Sequence, residues 1–280
     1  MGRGKVNQSI NGQTEFDGNT IGDMIGKGLH MDYQEILYEV AEGIAKIVIN
    51  RPDALNALTP NLLSELRSAV EEAGKDRRVG VIVLTGAGRA FCAGVDLKAL
   101  EKPAGADVGA DLNDAARNLQ CAIENVPKPV IGMVNGFCLT GGLELALACD
   151  FIIAADEARF GDTHTRWGLR CTWGMSRRLP CRVGEAKARE LTYTAEMISG
   201  DEAARIGLAN RSVPSSELEK TVREMAKKIL ANSADAVAAH KYLYAQSRKE
   251  TIERGLQREY ATMPEISDTL DRLGGFAKKD

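Results

Sequence analysis

No stretch of this 280-residue chain approaches ~18 consecutive apolar residues, so no segment reads as a membrane-spanning helix. The first thirty residues also lack the apolar core of a secretory signal. Basic residues are not in excess. Lys+Arg 36 against Asp+Glu 39 leaves a net charge of −3, which argues against a general nucleic-acid binder. Cys92, Cys121, Cys138, Cys149, Cys171 and Cys181 form no C-x-x-C pair and read as buried thiols, not as disulfides or a zinc site. Neither a Walker A loop nor a G-x-S-x-G elbow occurs. Gly86-Ala87-Gly88 starts like a dinucleotide fingerprint, but Phe91 stands where the third glycine is needed, so a plain turn is expected. These absences point to a cytoplasmic chain with no metal and no nucleotide cofactor of its own.

What is present is a globular composition, 44% hydrophobic and 27% charged. Residues 1–30 carry seven glycines among polar residues and read as a flexible N-terminal arm. Ile36–Val40 and Ile44–Ile49 are rich in branched residues and separated by Glu42-Gly43, a hairpin signal. Thr59-Pro60 is a helix start, followed by Leu62, Leu63, Leu66 and Val70 at helical spacing. Val81–Thr85, Val130–Val134 and Phe151–Ala155 are apolar strands of the kind buried on both faces, with helices about 111–125 and 143–149 between them. This alternation predicts an α/β core with parallel pairing over 31–200. Beyond about residue 180 the pattern is helical with no strand between the helices, and 201–280 reads as an all-helical region.

Two segments carry candidate chemistry. In Phe91-Cys92-Ala93-Gly94-Val95-Asp96-Leu97, small residues let backbone approach a ligand, and Asp96 is suited to cap a helix starting at Leu97. A tight strand-to-helix connection is the alternative. In Asn135-Gly136-Phe137-Cys138-Leu139-Thr140-Gly141-Gly142-Leu143-Glu144, paired glycines at a helix start expose amides suited to a negative oxygen. Glu144 lies in an otherwise apolar helix, as a catalytic base or one half of a structural ion pair.

Together, in this order, these segments resemble the enoyl-CoA hydratase/isomerase (crotonase) superfamily. Asn50-Arg51-Pro52, Ala54-Leu55-Asn56-Ala57-Leu58, Lys128-Pro129-Val130-Ile131 and Cys149-Asp150 extend the resemblance, which runs from about residue 34 to the end. It implies a spiral of ββα units followed by helices that pack between subunits of a homotrimer or dimer of trimers. It implies an acyl-coenzyme A thioester as substrate, with coenzyme A as part of the substrate and no separate cofactor. The amides of Val95 and Gly141 match the two oxyanion donors, flanked by Ala93, Gly94, Asp96, Leu97 and Gly142 at the substrate. Glu144 matches the first of two family carboxylates that hydrate a 2-enoyl-CoA in fatty-acid or related catabolism. The second carboxylate is replaced: the matching position is His164, with Asp162 placed to orient it or to substitute for the missing acid. Thr140 stands where a third glycine is usual. Trp167 and Trp173 are expected beside the acyl pocket, and Phe276, with Lys278, near a neighbouring subunit's nucleotide. A double-bond isomerase, hydrolase or lyase, or an acyl-CoA-binding pseudoenzyme, are the alternatives.

Overall fold

The computed structural model of the protein describes residues 33–96, 108–247, 250–262 and 264–276. The N-terminal arm, Leu97 and the terminal lysines therefore lie outside the described residues, as does the helix start expected at Leu97. The two branched segments form β1 (Ile36–Ala41) and β2 (Ile44–Ile49), paired antiparallel with Leu37 opposite Val48. Glu42 (φ +52°) and Gly43 (φ +79°) join them, the two positive φ values that a tight hairpin turn requires. Helix α1 (Pro60–Lys75) starts where expected: Thr59 Oγ1 accepts from the Leu62 amide at 3.0 Å. The apolar stripe Leu62, Leu63, Leu66, Ala69, Val70 and Ala73 is buried.

From here the chain repeats one unit: a long buried strand, a short strand, then a helix. The long strands are β3 (Val81–Gly86), β5 (Val130–Val134) and β7 (Phe151–Ala155). The short ones are β4 (Ala90–Cys92), β6 (Phe137–Leu139) and β8 (Arg159–Gly161). Helices α2 (Val108–Asn125) and α3 (Gly141–Ala148) follow the first two units. The long strands pair with one another in the order β1-β2-β3-β5-β7, parallel after the hairpin. Short strands build a second sheet in which β4, β6 and β8 are parallel, with Cys92 opposite Cys138 and Leu139 opposite Gly161. The carboxyl ends of the three short strands therefore lie side by side. In open parallel sheets that end is where ligands bind.

The region beyond 180 differs from the sequence reading in two places. After α4 (Met175–Val183) and α5 (Glu185–Thr194), the short strand β9 (Ile198–Ser199) pairs antiparallel with β8. After α6 (Gly200–Arg205), β10 (Arg211–Val213) adds to β7 as the parallel edge of the large sheet. Strands of two and three residues are too short to show an alternating pattern, which is why the sequence carries no sign of them. Helices α7 (Ser215–Leu230), α8 (Ala234–Ser247), α9 (Ile252–Ala261) and α10 (Thr269–Phe276) complete the chain. Lys241 anchors α8 to the core, donating to the Ile123 and Lys128 carbonyls and to Asp150 Oδ2 at 2.8–2.9 Å. Among the described residues no helix is long and apolar enough to cross a membrane.

The loop before α1 braces the end of β4. Ala93 N–H donates to Leu55 O (3.0 Å), Leu58 N–H to Gly94 O (2.7 Å), and Asp96 N–H to Leu58 O (3.0 Å). Asn56 holds this brace from the core, fully buried at φ +58°. Its Oδ1 accepts from the Arg51 amide (2.9 Å), and its Nδ2 donates to Ala87 O (2.9 Å) and Ala90 O (2.7 Å). Asn56→Ala leaves three backbone groups without their partner, one buried and two part-buried, and puts a β-carbon without a polar handle at positive φ. The expected cost in urea unfolding is about 2–4 kcal/mol; a loss below about 0.5 kcal/mol contradicts this role.

Candidate active site

Glu144 lies in the first turn of α3, a helix whose eight residues are all buried. At 1% exposure its carboxylate must be paired within the protein. Oε1 accepts two backbone N–H groups, from Trp173 at 2.9 Å and from Met175 at 3.1 Å. Gly174 between them has φ +98°, the turn that lets both amides reach one oxygen. Arg178 fastens this loop to α2: its Nη1 donates to Trp173 O (2.7 Å) and its Nε to Glu124 Oε1 (2.9 Å). Trp173 is itself fixed, its indole N–H donating to Asn113 Oδ1 at 2.7 Å.

The second oxygen of Glu144 faces His164. Nε2 of the imidazole is 3.7 Å from Glu144 Oε2, a charge contact too long for a hydrogen bond, so each atom keeps capacity toward a third group. The other ring nitrogen is committed: His164 Nδ1 and Asp162 Oδ1 are 2.6 Å apart. Asp162 Oδ2 in turn accepts from Thr192 Oγ1 at 2.7 Å. Thr192, Asp162, His164 and Glu144 thus form one polar chain through a buried region.

Its electrostatics follow from burial and neighbours. Desolvation pushes the Glu144 pKa up, more than the amides of Met175 and Trp173 and the His164 charge pull it down. Burial alone would lower His164; the hydrogen bond and charge of Asp162, together with the charge of Glu144, outweigh it and raise the imidazole. Burial would likewise raise Asp162, but hydrogen bonds from His164 and Thr192 hold it below the ordinary carboxylate range. Asp162 is therefore the fixed anion, and His164 and Glu144 are the groups moved toward neutrality.

Two amides stand beside this chain. Val95 pairs with Leu58 in a parallel bridge whose bonds run through the Gly94 carbonyl and the Asp96 amide, so the Val95 N–H points the other way. Gly141 is the first residue of α3, where the amide has no partner within the helix. Among the described residues, neither amide finds an acceptor. The segments carrying them touch: a β-carbon on Gly94 would sit 3.1 Å from Thr140 Oγ1, and one on Gly142 would sit 2.1 Å from Cys92 O. The glycine after Gly141 is thus required by close packing alone.

The sequence-derived residues do not all converge. Glu144, His164, Asp162 and Trp173 meet, and the ring of Trp173 covers Gly141, where a β-carbon would lie 2.8 Å from its Cζ3. Trp167 does not join them; it ends a short 3₁₀ turn at 63% exposure, followed by Gly168 at φ +66°. The Ala93 amide is consumed by Leu55 O. Asp96 forms an ion pair with Arg51 at 3.0 Å. Phe276 is the last residue of α10, and its side chain lies outside what is described. Sequence reasoning missed Thr192, Asn113 and Arg178, which reach the site from α5, α2 and α4. Only the fold links them to it.

Comparison with known proteins identifies the family. Residues 39–277 match the enoyl-CoA hydratase/isomerase family. A short-chain-enoyl-CoA hydratase of Clostridium acetobutylicum is 39% identical over 236 residues, 83% of this chain and 86% of that one. A crotonyl-CoA hydratase of Syntrophomonas wolfei is 37% identical over 247 residues, covering 88% and 95%. The crystal structure of an enoyl-CoA hydratase from Bacillus anthracis superposes with a TM-score of 0.83 at 36% identity, over 88% of this chain and 97% of that one. A family match over residues 39–277, with relatives at 37–39% identity over most of both chains, makes this chain a member of the enoyl-CoA hydratase/isomerase family.

Proposed function

We propose that the protein is an enoyl-CoA hydratase that adds water across the double bond of a 2-enoyl-CoA thioester, with a carboxylate–imidazole pair as its proton-transfer groups. The observation that carries this reading is Glu144: one oxygen pinned by two amides, the other open toward His164. Relatives named as hydratases over most of the chain support it.

In this mechanism the thioester oxygen sits between the Val95 and Gly141 amides. As water oxygen bonds to C3, the π electrons of the double bond move onto the thioester as an enolate, and the two amides stabilise the new negative charge. Loss of one such donor typically costs ~10²–10³ in rate. Glu144 takes a proton from the attacking water. The protonated Nε2 of His164 delivers a proton to C2, so H and OH have been added in total. The proton held by Glu144 then passes to His164 and resets the pair. Burial raises Glu144 toward neutrality, which lets it accept and release a proton at working pH. Asp162 is a positioning residue: bound to Nδ1 and itself fixed by Thr192, it keeps Nε2 aimed at Glu144. Trp173 closes the acyl side over Gly141. Exposed Ile252, Leu256, Tyr260, Leu270 and Leu273 on α9 and α10 support assembly through the helical region, as a homotrimer or dimer of trimers.

Crotonyl-CoA tests the reading directly, followed by loss of its enoyl-thioester absorbance. The parent protein is expected to turn it over, and Glu144→Gln to lose roughly 10²–10⁴-fold in kcat while acyl-CoA still binds. Unchanged turnover removes Glu144 from the chemistry.

The pH dependence separates His164 as acid from His164 as pocket lining. Its folded pKa lies above the ordinary 6.5, so the imidazolium persists below that raised value and is lost as pH climbs through it. The kcat profile of the parent should therefore show an alkaline fall that His164→Gln lacks, on a rate lower by about 10²-fold or more. The stability contributed by the charged ring should fade over the same rise. An identical alkaline limb in His164→Gln contradicts the assignment.

A further inference from the structure

Thr140 is a β-branched residue in a backbone conformation that side chains other than glycine rarely adopt, at φ +50° and ψ −115°. Such a conformation persists only where the surroundings over-determine it, and here they do. The Thr140 amide donates to Gly161 O at 2.9 Å, extending the β6–β8 ladder by one bond. Its carbonyl accepts the Glu144 amide at 2.9 Å, which starts α3. Its hydroxyl shares a 3.0 Å hydrogen bond with Thr163 Oγ1. Thr163 is buried and is the residue immediately before His164.

The side chain also faces a second segment. A β-carbon on Gly94 would meet Thr140 Oγ1 at 3.1 Å and Thr140 Cβ at 3.3 Å. Gly94 precedes Val95, and Thr140 precedes Gly141. One side chain thus fills the space between the two residues that lead into the free amides, and its hydroxyl ties them to the strand end that carries His164.

We propose that Thr140 is a positioning residue that sets the spacing of the two oxyanion amides and couples that spacing to the proton-transfer histidine. The proposal rests on the hydratase reading for what the amides bind, but its geometry stands on Gly94, Thr163 and the strained φ. A glycine at this position would satisfy the backbone without strain, yet would leave the two amide-bearing segments without a spacer. Strain kept where glycine would relieve it, next to the two amide-bearing segments, is the observation that motivates a functional role here.

The test compares Thr140→Gly and Thr140→Ser in the full-length protein by thermal unfolding, by steady-state kinetics on crotonyl-CoA, and by binding of acetoacetyl-CoA, whose enolate places a negative oxygen at the thioester site. Thr140→Gly is expected to melt at or above the parent temperature. Its kcat should fall by about tenfold or more, with KM within about threefold, and its enolate binding should weaken in proportion. Thr140→Ser keeps the hydroxyl bond to Thr163 and should recover most of the lost rate. A Thr140→Gly protein with parental kcat and parental enolate binding overturns the proposal, as does one that melts lower with kcat unchanged, the signature of a structural role. A parent inactive on crotonyl-CoA overturns the hydratase reading instead, and the enolate-binding comparison then still decides for or against Thr140.

Discussion

The arrangement depends on the parallel ladder between β4, β6 and β8. Parallel pairing puts the carboxyl ends of neighbouring strands at one edge, and in this chain each of those ends runs directly into a piece of the site. Cys92 leads to Val95, Leu139 to Gly141 and Glu144, and Gly161 to Asp162 and His164. Three segments distant in sequence are brought together by backbone hydrogen bonds, before any side chain contributes. The long strands β3, β5 and β7 hold that ladder in place because each short strand follows a long one after only a few residues. A slip of one residue in any short pair would turn a site segment toward the wrong face.

Onto that frame the protein builds a buried pair of unlike titratable groups, Glu144 and His164. A carboxylate buried to 1% exposure is costly unless its oxygens are occupied, and two amides from the Trp173–Met175 loop occupy one of them. The remaining oxygen faces an imidazole that is fixed at its far nitrogen by Asp162. Two carboxylates at such a distance would repel, so that one would be forced to stay protonated. A histidine changes that balance: each group favours the charged form of the other, while burial opposes both. The imidazole is held charged to higher pH by two anions, one of which cannot leave.

Much of this was legible in the residue order. Gly141-Gly142 before an apolar helix, and Glu144 within it, pointed to a helix start beside a buried acid, and α3 does begin at Gly141 with Glu144 buried in its first turn. Asp162 and His164, two residues apart, were readable as a pair because one turn suffices to join them. Thr192 was not, since no local pattern connects position 192 to 162; α5 has to fold back across the site first. The same holds for Asn113 and Arg178, whose roles exist only once α2 and α4 flank the Trp173 loop. Both tryptophans were expected beside the acyl pocket; Trp173 is buried against Gly141 whereas Trp167 is exposed, a difference that the sequence pattern does not carry. Strand β10 escaped because three residues cannot display a period. What was hidden is what depends on long-range packing.

The central claim is that oxygen enters at C3 and hydrogen at C2 through an enolate held by two backbone amides. Incubating the protein with crotonyl-CoA in deuterium oxide, and locating the label in the product by NMR, tests it most directly. The account predicts a 3-hydroxyacyl-CoA carrying deuterium at C2 and no label at C4. A product with its double bond moved rather than hydrated, or with deuterium at C4, would contradict it.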